Sequence, residues 1–255
     1  MKNHKKVTID DVKGFWNQHP LCAAHIPYPL GTEEYFNYYD TLREANESLE
    51  FSYELHEYKD FAGKKVLDVG SGNGYVLSKY AREGAEVYGV DITRTAVDLC
   101  HKRFELLGLR GNFSVTNAEV LPFKDNTFDC VCSMGVLHHT PDTGKAVSEI
   151  HRVLKRGGRL IVMFYNRNSV SYKILFPLKR ILSGKTMQQI VNELDGAGNP
   201  KGEVYSKKEL GDLLADYSQI EMFAGLLNLR IVPKFLVQPL ERKFGFFLYA
   251  KGFKP

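Results

Sequence analysis

From residue 63 to residue 165, short apolar runs and helix-spaced apolar positions take turns along the chain. The runs Lys65–Val69, Glu86–Val90 (ending at Asp91), Asn112–Thr116, Phe128–Met134 and Arg159–Tyr165 have the length and β-branched or aromatic content of buried strands. Amphipathic stretches stand between them. One runs from about Gly74 to Arg82 and stops at Gly84. A second, capped by Thr93, carries Ala96, Val97, Cys100, Phe104 and Leu107 on one face and stops at Gly108. A third opens at Pro141-Asp142, carries Ala146, Val147, Ile150, Val153 and Leu154, and stops at Gly157-Gly158. This alternation predicts an α/β fold: a parallel sheet, helices on both faces, right-handed crossovers. Further on, Ser206-x-x-Glu209 is a capping box for a helix with Leu210, Leu213, Leu214 and Tyr217. Two last strands, about Gln219–Ala224 and Phe244–Ala250, finish the sheet, and the segment between them, through Pro233 and Pro239, reads as irregular.

The flanks do not alternate. Residues 1–13 are polar and read as frayed. Residues 14–31 hold the only tryptophan, His19, His25, Tyr28 and three prolines, which suits either a tucked arm or part of a cover. Thr32 caps a helix with Tyr35, Tyr39, Leu42, Ala45 and Leu49 at helical spacing, and a second piece reaches about Tyr58. The cluster Tyr35, Phe36, Tyr38 and Tyr39 covers more than one face, so it fits core packing and a lid alike. Ser169 to Leu182 reads as a helix kinked at Pro177, with Ile174, Leu175, Leu178, Ile181 and Leu182 inward. Its basic flank, Lys173, Lys179, Arg180 and Lys185, is a solvated face or a contact with a membrane surface. A shorter helix from Thr186 carries Met187, Ile190, Val191 and Leu194, followed by the turn-rich loop 195–202. The organisation is then an arm and helical lid (1–62), a core (63–165), a cap inserted after the fifth strand (166–205) and the C-terminal part of the core sheet (206–255).

The chemistry gathers at strand ends. Lys65–Val69 runs into Gly70-Ser71-Gly72-Asn73-Gly74 and then a helix, whose free N–H groups and positive dipole end face the turn. Glycines there allow positive φ and close approach of a ligand to the backbone. The dinucleotide fingerprint G-x-G-x-x-G is absent, because Tyr75 stands at its third position. Asp68, two residues before the turn, would repel a pyrophosphate but accept hydrogen bonds from a cationic amino-acid ligand. Asp91 ends the next strand, where a carboxylate can accept both hydroxyls of a ribose. Asn117-Ala118-Glu119 follows the third strand, and an amide there can read an adenine edge. Ser133-Met134-Gly135-Val136-Leu137-His138-His139-Thr140 follows, then Glu149-x-x-Arg152-Val153-Leu154-Lys155-Arg156-Gly157-Gly158.

This ordered set, from about Val66 to Val162, resembles the class I S-adenosylmethionine-dependent methyltransferases of the ubiquinone/menaquinone-biosynthesis, or methyltransferase-11, type. The resemblance implies a Rossmann-like, seven-stranded, mostly parallel sheet whose last strand pair is antiparallel. It also implies that Asp68 and the backbone of Gly70, Ser71, Gly72 and Gly74 hold the methionine part of the cofactor and Asp91 the ribose. Ile92 would pack on one adenine face. Asn117, Ala118 and Glu119 would lie at the adenine edge, and Ser133 and Met134 beside the methionine part. The family has Asp where this chain has Asn117, which implies altered affinity rather than lost binding. It often has Pro where Arg156 stands, a surface detail. His139, just past the fourth strand, is the nearest candidate for a general base, with His19 and His25 behind it. Trp16, Tyr35, Tyr165 and Asn166 are candidates for the acceptor pocket.

Composition adds bounds. The chain has 255 residues, 44% hydrophobic and 25% charged, enough for one large core without disulfides or metals. A net charge of +4 gives no reason to expect nucleic acid. No apolar run reaches the roughly 18 residues of a membrane span, and no apolar core follows the N-terminal lysines as in a secretory signal. Cys22, Cys100, Cys130 and Cys132 have no metal or redox spacing, and they read as reduced thiols of a cytoplasmic protein, with Cys130 and Cys132 on one strand face. No N-P-P-Y type tetrapeptide follows the fourth strand, as many nitrogen methyltransferases of nucleic acid and protein would require, and Asn199-Pro200 is not that motif. The expectation is methyl transfer from S-adenosylmethionine, leaving S-adenosylhomocysteine, to O, N, C or S of a small acceptor in a lidded pocket. Its rivals are a non-catalytic cofactor-binding module and a nicotinamide-dependent oxidoreductase.

Overall fold

A computed structural model of the chain describes residues 7–20, 26–227 and 240–255, and it is centred on one eight-stranded sheet. The strands are β1 (Lys65–Val69), β2 (Glu86–Asp91), β3 (Asn112–Val115), β4 (Phe128–Met134), β5 (Leu154–Asn166), β6 (Val204–Tyr205), β7 (Ser218–Gly225) and β8 (Phe247–Phe253). Their order is β3-β2-β1-β4-β5-β8-β7, with β6 paired to β5 off this path. β1 to β5 run parallel, and β8 is antiparallel to both β5 and β7. The main path thus has the seven strands and the antiparallel last pair anticipated. The eighth strand is only two residues long.

The chain moves outward from β1 to β3 and then returns to place β4 on the other side of β1. That reversal opens a crevice at the C-terminal ends of β1 and β4, where open α/β sheets bind ligands. Successive strand residues face opposite sides. Leu67, Val69, Val131, Leu160 and Val162 bury one face against α6 (Thr143–Val153) and Leu210 of α9 (Lys207–Leu213). Val66, Cys130, Cys132, Ile161 and Met163 bury the other against α4 (Tyr75–Arg82) and α5 (Arg94–Leu106). α2 (Glu33–Asn46) and α3 (Leu49–His56) add Tyr35, Phe36, Tyr39 and Leu55 to that second cluster. Each such side chain contributes about 1.5–3 kcal/mol by leaving water. Cys100, Cys130 and Cys132 are free and buried, the last two in the same cluster, and Cys22 lies outside the described residues.

Several local expectations change. Residues 9–18, read above as a frayed start running into an arm or cover, form α1 (Ile9–Gln18). The Thr8 hydroxyl accepts from the Asp11 N–H and the Asp11 carboxylate accepts from the Thr8 N–H, so both ends of a capping box are closed. α6 stops at Val153, and Leu154 already belongs to β5, which carries Gly157 and Gly158 within it. β8 begins at Phe247, because residues 240–244 are helical and Gly245 N–H closes onto the Glu241 carbonyl at 2.9 Å. A Cβ on Gly245 would stand 2.2 Å from the Gly225 carbonyl oxygen, so glycine is required where the chain passes β7. Pro233, Pro239 and His25 lie outside the described residues.

The largest correction concerns the segment after β5. Residues Ser171–Leu175 form a π-helical turn that leads into α7 (Phe176–Ser183), with Pro177 at the junction, where its missing N–H breaks no α-helical bond. The residues anticipated as inward are instead exposed: Ile174, Leu175, Leu178, Ile181 and Leu182. Only Phe176 of this helix turns into the small cluster of Tyr165, Ile190, Val191 and Val204 built with α8 (Met187–Asn192), and none of the five exposed residues belongs to it.

Candidate active site

The glycine turn is held from below by β2. The N–H groups of Gly70 and Ser71 both donate to the Val90 carbonyl, at 2.7 and 3.0 Å. Gly70, Gly72 and Gly74 all have positive φ. A Cβ on Gly70 would stand 2.2 Å from the Val136 side chain, so the loop after β4 closes directly on the turn. α5 braces it from the side. The buried Arg103 donates from Nε to the Asn73 carbonyl at 2.9 Å, and from its two terminal nitrogens to the Asp40 carboxylate at 2.8 and 3.0 Å. The turn, α5 and α2 are thereby one unit.

Asp91 is oriented by the backbone. Its Oδ2 accepts from the Gly72 N–H at 3.1 Å, and its Oδ1 accepts from the Thr93 N–H and hydroxyl at 3.0 Å each. Burial raises its pKa, and these donors oppose the rise. Asp68 differs. It is buried against Cys132, and its Oδ1 has no hydrogen-bond partner. Burial pushes its carboxyl up to about 7. A buried carboxylate oxygen without a partner calls for a donor, but Asp68 lies under the glycine turn and does not line the pocket itself.

A pocket opens over these groups. Its floor is Val69, Gly70, Gly72, Asp91 and Ile92; Asn117, Ala118, Met134 and His139 form its sides; Ile9, Val12 and Trp16 of α1 and Tyr35 of α2 form its roof. The structure thus brings together Gly70, Gly72, Asp91, Ile92, Asn117, Ala118, Met134, His139, Trp16 and Tyr35. Other candidates, Asp68 among them, stand behind the wall. Ser71 accepts from the Cys100 thiol at 3.5 Å, and Gly74 is the N-cap of α4. Glu119 accepts from the Asp142 N–H at 2.8 Å, and Ser133 donates to the Val69 carbonyl at 2.8 Å. Asn166 is engaged by the Gly245 carbonyl and the Asn168 N–H, while Tyr165 donates to Asp195 at 2.6 Å. His19 stacks on Phe15, and its Nδ1 faces the Phe15 carbonyl at 2.9 Å.

His139 sits between the β4 loop and the segment after β5. Its Nδ1 is 2.6 Å from the Lys201 carbonyl, its Nε2 is 3.4 Å from Asp195, and Trp16 packs edge-on against its ring. Burial lowers its pKa, against an upward pull from Asp195. The adjacent His138 is fully buried with neither ring nitrogen bonded, so it stays neutral. Asp195, Lys201, Asp40 and Arg103 escaped the reading of the sequence. So did Ile9 and Val12, although the Thr8-x-x-Asp11 spacing before Val12 and Phe15 was a usable helix signal.

A family model described as a methyltransferase domain matches residues 67–162. The match runs from β1 into β5, well under half of the chain. The chain is 39% identical over 110 residues to the ubiquinone/menaquinone biosynthesis C-methyltransferase UbiE of Haemophilus ducreyi, covering 41% of this chain and 42% of that one. It spans less than half the length of the curated relatives it matches. Among solved structures, an S-adenosylmethionine-dependent methyltransferase of Methanosarcina mazei superposes with a TM-score of 0.59 at 21% identity, over 79% of this chain and 96% of that chain. Phosphoethanolamine N-methyltransferase 2 of Haemonchus contortus gives 0.59 at 19% identity, over 82% of this chain and 53% of that chain. At these identities the structures establish the shared fold. The matched residues carry the glycine turn, Asp68, Asp91 and the His138-His139 loop. The roof comes from residues before it, and the partners of His139 from residues after it.

Proposed function

We propose that the protein transfers the methyl group of S-adenosylmethionine to a small acceptor held under α1 and α2. The observation that carries this reading is the unpaired, buried oxygen of Asp68 beside a glycine turn whose far side is closed by Asp91. Such a pair suits a ligand with a cationic amino acid at one end and a ribose at the other. It is a poor cradle for a pyrophosphate, and Tyr75, at the third fingerprint position, is buried with its hydroxyl on Glu44 at 2.8 Å. Asp68 and the backbone of the turn would hold the methionine part, Asp91 the ribose hydroxyls, Ile92 a face of the adenine, and Asn117 with Ala118 its edge. When bound, the cofactor supplies a methyl group already activated by a sulfonium.

What remains for the protein is alignment and the exclusion of water. Trp16, Tyr35 and Met134 supply apolar walls for both. His139 is the group we assign to proton removal where the acceptor arrives protonated. Donation from Nδ1–H to the Lys201 carbonyl leaves the lone pair on Nε2, and Asp195 would stabilise the imidazolium that forms. The segment 166–205 acts as a cap that sets acceptor specificity through this contact. The free, buried thiols support a reducing, cytoplasmic setting.

Calorimetry with S-adenosylmethionine and S-adenosylhomocysteine, paired with a turnover screen across small acceptors, tests the proposal. Binding of both ligands with transfer to an acceptor is expected. No binding of either ligand overturns it, and binding without turnover on any acceptor assigns the chain to a non-catalytic role.

A further inference from the structure

Segment 171–183 presents an apolar stripe that nothing in the described residues covers. Of the fourteen exposed large hydrophobic residues among those described, five lie in this one stretch, and Ile181 and Leu182 are the two most exposed of them, at 79% and 80%. Positions 174, 178 and 182 are four apart, and 174 and 181 are seven apart, so the side chains fall along one side of the helix. A stripe of this kind on a soluble surface is a site of contact.

The charges around it choose the partner. Residues 171–185 contain Lys173, Lys179, Arg180 and Lys185 and no acid. Lys185 is paired with Glu193 at 2.6 Å; Lys173, Lys179 and Arg180 make no ion pair among the described residues. The helix is fixed to the body through Phe176, which packs on Phe246 and Tyr172, so the stripe is held outward. Among the described residues no helix is long and apolar enough to cross a membrane. Apolar side chains that can enter the acyl boundary, bordered by cations that reach phosphate headgroups, describe a helix lying in a bilayer interface.

We propose that residues 171–183 dock the protein on an anionic membrane surface, with Ile174, Leu178, Ile181 and Leu182 buried among the lipids and Lys173, Lys179 and Arg180 on their headgroups. The docking is independent of methyl transfer, so its test needs no substrate.

The full chain is sedimented with vesicles of phosphatidylcholine alone and of phosphatidylcholine mixed with phosphatidylglycerol. Binding is expected to the mixed vesicles, and to weaken as salt is raised. The double variant Ile181→Gln, Leu182→Gln should lower partitioning by roughly tenfold or more. Lys179→Gln with Arg180→Gln should lower it by roughly fivefold per charge removed. Thermal melts of the variants, expected to match the parent because these side chains are exposed, show that folding is intact. Failure to bind mixed vesicles overturns the proposal, as does binding that ignores lipid charge or is unchanged in the variants. A doubled mass in light scattering that the Ile181→Gln, Leu182→Gln variant abolishes would also overturn it, by making a second copy of the chain the occupant.

Discussion

Asp68 and Asp91 share a charge and a neighbourhood but not a physical situation. Asp91 is satisfied by Gly72 and Thr93, whereas Asp68 keeps one oxygen unpaired. With its carboxyl pushed up to about 7 by burial, Asp68 is ionised above that pH and protonated below it. Only the ionised form pairs with an ammonium group. Affinity for S-adenosylhomocysteine should therefore fall as pH drops below about 7, approaching tenfold per pH unit. Titration calorimetry on Asp68→Asn should give weaker binding without this pH dependence. His139→Gln should cut turnover by roughly 10²–10⁴-fold with cofactor affinity unchanged, if the acceptor needs a base. Asp195→Asn removes an anion that favours the imidazolium, so the acid limb of the rate profile should move to lower pH. The place of Asp91 at the pocket was legible because it ends β2 beside the turn. The Asp40–Arg103 and Tyr165–Asp195 contacts were not, since their partners stand 63 and 30 residues apart and nothing local marks either pair.

Among elements, the join between α2 and the turn matters most. Arg103 is almost wholly buried, ringed by Phe36 at 4.5 Å, and its charge is met by Asp40. Asp40→Ala leaves that guanidinium buried without its counter-charge, at a cost of about 3 kcal/mol. Denaturant melts should show the loss, and cofactor affinity should fall with it because Arg103 also holds the Asn73 carbonyl. The strands β1 and β4 were readable to the residue, being short apolar runs buried on both faces. α7 was readable as amphipathic but not as exposed. Periodicity reports that a helix has an apolar side; whether the fold has a surface to receive it depends on the rest of the molecule.

In the whole molecule, the sheet supplies the crevice and the flanking segments supply its closure. Strand–helix alternation made the parallel half of the sheet legible, while β6 was invisible because two residues carry no period. Among the described residues, the segment between β5 and β6 has its ends held by a strand pairing two residue pairs long, Tyr165–Val204 and Asn166–Tyr205. Its amides should therefore lose protection at lower denaturant than those of β1, β4 and β5, as native-state hydrogen exchange would measure.

The same pairing puts the two ends of that segment side by side. A loop whose entry and exit touch can be lengthened, shortened or replaced at a small entropic cost, growing only with the logarithm of its length. Nothing in the strands need shift when it changes. In lineages descended from such a chain, new chemistry at the mouth of the crevice could arise by exchange of one surface insert, with the apolar contacts on both faces of the sheet inherited intact.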